Sequence, residues 1–154
     1  VKDTSDPLVD LRYSHIEKAP QPDYFYLYFS SDISLDSILS RSKGISRASE
    51  GLECSLEQPA VFEMNHVIAS FGAGHLDRDG SVDGRFMYKA NFFFGETADE
   101  GGTYRYLRRE RLVELLGARS SIPCKVKISA LGYKAYYSKS FSLPMAEVLP
   151  LVLE

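Results

Sequence analysis

Hydrophobic positions along this chain recur mostly every second residue, and only short stretches shift to helical spacing. Tyr24-Phe-Tyr-Leu-Tyr-Phe29 is the most strand-like run. It sets Tyr24, Tyr26 and Tyr28 on one face and Phe25, Leu27 and Phe29 on the other. Leu8 to Tyr13 reads as an earlier strand, separated from it by the Pro20-Gln-Pro22 break. Leu52, Cys54 and Leu56 alternate with Glu53, Ser55 and Glu57, and a long strand is expected from about Val61 to Phe71. An Asp77-Arg-Asp-Gly80 turn then leads into Arg85 to Phe94, where Phe86, Tyr88, Ala90, Phe92 and Phe94 share one face. This is the clearest hairpin in the sequence. Cys124, Val126, Ile128 and Ala130 alternate with Lys125, Lys127 and Ser129, and Gly132 turns the chain into a last strand from Tyr133 to about Leu143.

The helical stretches are short. Asp32 or Ser34 can cap one whose Leu35, Ile38 and Leu39 share a face, with Gly44 beyond its end. Arg108 to Leu116 carries a stripe of Leu112, Val113, Leu115 and Leu116, ended by Gly117. Pro144 suits the first residue of a closing helix that Pro150 limits. The expectation is an α+β, β-rich fold: an antiparallel sheet or sandwich of about seven strands, with two or three short helices packed on it.

At 154 residues the chain fits one domain spanning 1–154, with the polar residues 1–6 as a flexible N-terminal spacer. Its aromatics are 10 Tyr and 9 Phe with no Trp, a composition that favours pleated, half-buried surfaces. A net charge of -3 is too small to steer a polyanion, so no nucleic acid partner is expected. The longest apolar runs fall far short of a membrane span. Membrane contact is expected only through a lipid anchor preceding this chain, which starts at Val1 and so reads as a processed form, a fragment or a trimmed chain.

Cys54 and Cys124 each fall on the apolar side of an alternating strand, so both should point inward. A disulfide between them is preferred over two buried thiols, and it would place the protein in an oxidising, exported compartment. The separation excludes a CxxC redox motif.

Signals for catalysis are sparse. The three histidines, His15, His66 and His75, form no HExxH, and no GxSxG precedes a helix. His66 reads as a residue of the Val61 to Phe71 strand and His15 as a solvated loop residue. Asp77, Asp79 and Asp83 form the one metal-like cluster, with calcium as the candidate ion. Aligning Gly80 with the glycine of a calcium loop puts His75 first and Phe86 last, so a plain hairpin turn is preferred and no cofactor is expected. Tyr104-Arg-Tyr-Leu-Arg-Arg-Glu-Arg111 interleaves basic and aromatic residues, the pattern of a solvated face with local ion pairs. Binding is better served by two other features. The Tyr24, Tyr26, Tyr28 face offers large contact area with polar tips. The loop Glu96-Thr-Ala-Asp-Glu-Gly-Gly102 puts Glu96, Asp99 and Glu100 at an exposed tip made pliable by Gly101 and Gly102.

The polar Val1 to Pro7 segment, the Cys54 and Cys124 pair and the closing Tyr136-Tyr-Ser-Lys-Ser-Phe-Ser-Leu-Pro144 stretch together resemble small periplasmic immunity proteins and lipoproteins that neutralise secreted bacterial toxins. The resemblance is architectural and carries over no functional residue. It implies an exported, periplasmic or envelope-associated protein without enzymatic activity, which binds and inhibits a toxin or cell-wall enzyme. The alternatives are a small hydrolase assembled only in three dimensions, or a structural or ligand-binding envelope module. A cleft holding His66 or His75 beside a carboxylate and a nucleophile would favour the hydrolase.

Overall fold

The computed structural model describes residues 4–6, 10–35, 48–63, 66–98, 102–130 and 136–154. Within them the chain forms β1 (Thr4–Asp6), β2 (Leu11–Lys18), β3 (Tyr24–Ser31), β4 (Ala48–Ser55), β5 (Ser70–Val82), β6 (Arg85–Ala98), β7 (Thr103–Tyr106), α1 (Arg109–Leu116), β8 (Ser121–Ala130), β9 (Tyr136–Ser138), β10 (Phe141–Pro144) and α2 (Met145–Leu153). All the strands join one open sheet in the order β1-β9-β8-β4-β5-β6-β3-β2, with β10 also against β8 and β7 against β6. Its pairings are antiparallel except that of β1 with β9. Among the described residues no second sheet faces it, so the arrangement is a sheet with helices and not a sandwich. Thr4–Asp6, in the stretch expected to be a spacer, is the parallel strand β1.

One face of the sheet holds the core. Phe25, Leu27 and Phe29 are buried, as are Tyr88, Ala90, Phe92 and Phe94 on β6. They pack in one cluster with Leu112 and Leu116 of α1 and with Met145, Val148 and Val152 of α2. The sheet curls around this cluster. Phe29 of β3 stacks on Phe141 of β10 at 5.4 Å between centroids, although these strands lie toward opposite ends of the strand order. Tyr13 shares the core side with Leu11, and its hydroxyl donates to Glu147 Oε1 of α2 at 2.7 Å; a bulge between Tyr13 and His15 brings Ile16 to that side as well. Burial and then that bond push the Tyr13 hydroxyl far above its ordinary pKa.

Several expected boundaries moved. The β5–β6 turn lies at Asp83-Gly84 and not at Asp77–Gly80. Asp83 and Gly84 both have positive φ (51 and 78°), as a two-residue hairpin of inverted type requires. At the earlier site only Gly80 is left-handed, and it sits where the register shifts between Arg78 and Ser81. The segment before Ser70 is irregular, so the strand expected from Val61 starts only at Ser70. The last strand is broken into β9 and β10 by residues 139–140. Pro150 lies inside α2 and does not end it; the N–H it lacks would have met the carbonyl of Ala146, an exposed residue. The helix expected after Asp32 falls mostly on residues outside those described, including Ile38, Leu39 and Gly44, as does the turn at Gly132.

The cysteine pair forms the expected bridge. Cys54 and Cys124 are register partners on β4 and β8, fully buried and joined by a disulfide.

Candidate binding face

Strand alternation that sends Phe25, Leu27 and Phe29 inward sends Tyr24, Tyr26 and Tyr28 to the face turned away from the helices. Register extends this face across the sheet. Tyr24 lies opposite Phe93, Phe93 opposite Ala73, Ala73 opposite Glu53 and Glu53 opposite Lys125. The next row runs Tyr26, Asn91, His75, Gly51 and Lys127. The one after it begins Tyr28, Lys89 and Asp77.

Rings gather at one end of this face. Phe93 contacts Tyr24, Tyr104 and Tyr106, at centroid distances of 5.6, 5.3 and 5.4 Å, and Phe71 contacts both Phe93 and Tyr104. The Phe71 ring also lies over Gly95, where an added Cβ would come within 3.0 Å of it. Tyr104 is 56% and Tyr106 43% exposed, so a large share of this packed aromatic surface faces water. Most of these pairs meet edge to face, the geometry favoured by ring quadrupoles.

The expected tyrosine face is therefore real but divided. Tyr24 belongs to the ring cluster and shares a hydrogen bond of 3.0 Å with the Tyr106 hydroxyl. That bond, followed by burial, pushes its pKa up to about 12. Tyr26 lies under the Lys89 ammonium at 4.4 Å. Tyr28 stacks on His15 at 4.2 Å and donates to Glu17 Oε1 at 2.8 Å; burial and then that bond raise it to about 12. Tyr24 and Tyr28 thus stay neutral well above physiological pH and offer hydroxyls instead of charge. His15 is a residue of strand β2 and not of a loop.

Other expected sites separate. Glu96 is a strand residue of β6, opposite Arg105 of β7, whose Nε donates to its Oε1 at 2.6 Å. It is not at a loop tip, because β6 and β7 pair out to Ala98 and Thr103. Gly102 is exposed at the start of β7, while Asp99, Glu100 and Gly101 lie outside the described residues. Asp77, Asp79 and Asp83 are exposed along the β5–β6 arm, and no metal-ligating group of three is present among the described residues. The basic segment disperses: Arg105 takes Glu96, Arg111 takes Glu114 at 3.0 Å, and Arg109 donates to the Leu153 carbonyl.

His66 is not a strand residue. It lies in the irregular segment after β4, with Nε2 2.6 Å from Glu57 Oε1. The other oxygen of Glu57 accepts the Ala69 N–H at 3.0 Å, so one carboxylate ties the end of this segment back to its beginning. A histidine and a carboxylate thus meet as the hydrolase alternative asks. Among the described residues, however, no hydroxyl or thiol lies within hydrogen-bond distance of the ring. Burial alone would raise the Glu57 carboxyl, but His66 and the Ala69 amide outweigh it and hold the group below its ordinary 4.5. The sign follows from linkage: a depressed carboxyl stabilises the fold above the unfolded value, and that contribution disappears as pH falls through the folded one. Urea titrations of wild type and Glu57→Gln should therefore show the wild type more stable at neutral pH, with the gap closing below 4.5. A gap independent of pH would remove the carboxylate's role as a tie.

Hollows open beside Phe93 and beside Phe71. One groove of about 440 Å³ runs from Tyr24, Phe93 and Tyr104 to Lys127. A second, of about 340 Å³, holds His66, Val67 and Phe71. The sequence marks Tyr24 as a binding residue and Tyr104 only as part of a solvated basic segment; Phe93 and Phe71 carry no such mark. The period-two placement of Tyr104 and Tyr106 was the available signal, masked by the arginines around them. No family model matches this chain, and no curated protein or solved structure is significantly similar to it.

Proposed function

We propose that this chain is an exported, non-enzymatic protein that binds another protein through the sheet face turned away from its helices. The observation that carries this reading is the ring cluster held on paired strands, in which Tyr104 and Tyr106 are exposed and Phe71 and Phe93 half-buried beside them. Val67, 54% exposed, lines the hollow beside Phe71 and extends the apolar area. Aromatic residues presented on rigid elements lose little conformational freedom on binding and supply most hot spots of protein interfaces. The buried Cys54–Cys124 disulfide is compatible with an oxidising compartment. The resemblance to immunity proteins supplies the partner class, a secreted toxin or cell-wall enzyme that is held inactive when bound.

The test is capture of the partner from the source's own secretions and extract on immobilised protein, then affinity measurement with the Tyr104→Ser/Tyr106→Ser double variant. Loss of both rings should weaken binding roughly hundredfold. Thermal stability should fall only modestly, since the two residues are 56% and 43% exposed and pack only on the outer face of the sheet. Unchanged affinity in that variant would clear this face of a role.

A further inference from the structure

We propose that the 440 Å³ groove beside the ring cluster binds a short neutral glycan. This goes beyond the protein partner: the groove shares Phe93 and Tyr104 with the proposed protein patch, but Phe71, Tyr106 and Val67 of that patch do not line it.

Three features of the groove converge. One wall is aromatic: Phe93 and Tyr104 are inclined by only 30° at 5.3 Å, a nearly continuous apolar surface extended by Tyr24. The floor is low because β4 and β5 place Gly51 and Ala73 there. Polar groups complete it. Asn91 and His75 are register partners, and among the described residues neither side chain hydrogen-bonds to a neighbour. On the far rim Lys127 Nζ stands 3.8 Å from Glu53 Oε2, adding a donor and an acceptor with no net charge.

These features select among ligands. The groove crosses the face of the sheet, where the backbone N–H and C=O groups of β4, β5 and β6 are consumed by the ladders. An extended peptide could not add as a strand there, and recognition falls to ring faces and side-chain polar groups. Glu53 beside the cation disfavours a phosphate or carboxylate ligand. A pyranose ring presents an apolar C–H face and a rim of hydroxyls that both donate and accept. The first matches the Phe93 and Tyr104 wall, and the second matches a planar amide, an imidazole and a carboxylate. The volume lies in the range of small-ligand sites, with room for about two hexose units.

The experiment is saturation-transfer NMR of the intact protein with chitotriose, cellotriose, maltotriose, xylotriose and mannotriose, each in turn. At least one should receive saturation at millimolar concentration. Its affinity should fall roughly tenfold in Asn91→Ala, and transfer should vanish in Ala73→Leu, which fills the floor. Val67→Asp, in the other hollow, should weaken partner capture and leave sugar binding intact, and Ala73→Leu should leave partner capture intact, so the two readings fail separately. A backbone NMR spectrum confirms that each variant is folded. No transfer from any of the five, or transfer that survives Ala73→Leu, would overturn the proposal.

Discussion

Replacing Cys54 and Cys124 together with alanine is expected to lower the unfolding free energy by roughly 4 kcal/mol. The bridge closes a long loop, with the two cysteines 70 positions apart, and so removes much of the freedom of the unfolded chain. It also ties β4, the neighbour of the hairpin that carries Phe93, in register to β8, the strand that carries Lys127. Alanine lacks the two buried sulfurs, so a small cavity adds to the loss of the cross-link. Urea denaturation should show a lower midpoint and a larger m-value, because the unlinked denatured chain exposes more surface. A loss of under about 1 kcal/mol would mean that the loop-closure account of this bridge is wrong.

Phe29→Ala should cost about 3–5 kcal/mol. The ring is fully buried and stacks on Tyr88 at 5.7 Å as well as on Phe141, so it joins β3, β6 and the curled-over β10. Its loss also loosens Tyr88, whose hydroxyl accepts the buried Leu35 N–H at 2.8 Å. Tyr26→Ala is the matched control, since Tyr26 leaves the same strand on the opposite face and is only half-buried. It should cost no more than about 1 kcal/mol. Similar losses for the two variants, measured by urea titration, would contradict the assignment of core and binding faces.

That assignment was legible wherever a strand is half-buried. In Tyr24 to Phe29 and Arg85 to Phe94 alternation fixes the face of every side chain, and Cys54 and Cys124 were readable as inward partners for the same reason. Positions decided by backbone conformation were less readable. Two Asp-Gly pairs, Asp79-Gly80 and Asp83-Gly84, compete for one turn, and only the second adopts positive φ at both residues. Val61 to Phe71 contains enough apolar residues for a strand, yet they serve separate contacts: Phe62 under the Lys125 ammonium, Ile68 buried and Val67 exposed. The binding face depends on strand order, which spacing does not reveal. Tyr24 and Tyr106 are far apart in sequence and meet because β3 and β7 lie along the same strand, β6. Glu96 illustrates the converse. It reads as a loop charge until its strand pairing with Arg105 is known.

Amide hydrogen exchange on the complex with the captured partner bears most directly on the claim that this face is the interface. The account predicts slowed exchange in β7 and at the adjoining ends of β3 and β6, with α1 and α2 unchanged on binding. Protection confined to α1 and α2, with Thr103–Tyr106 exchanging as in the free protein, would contradict it.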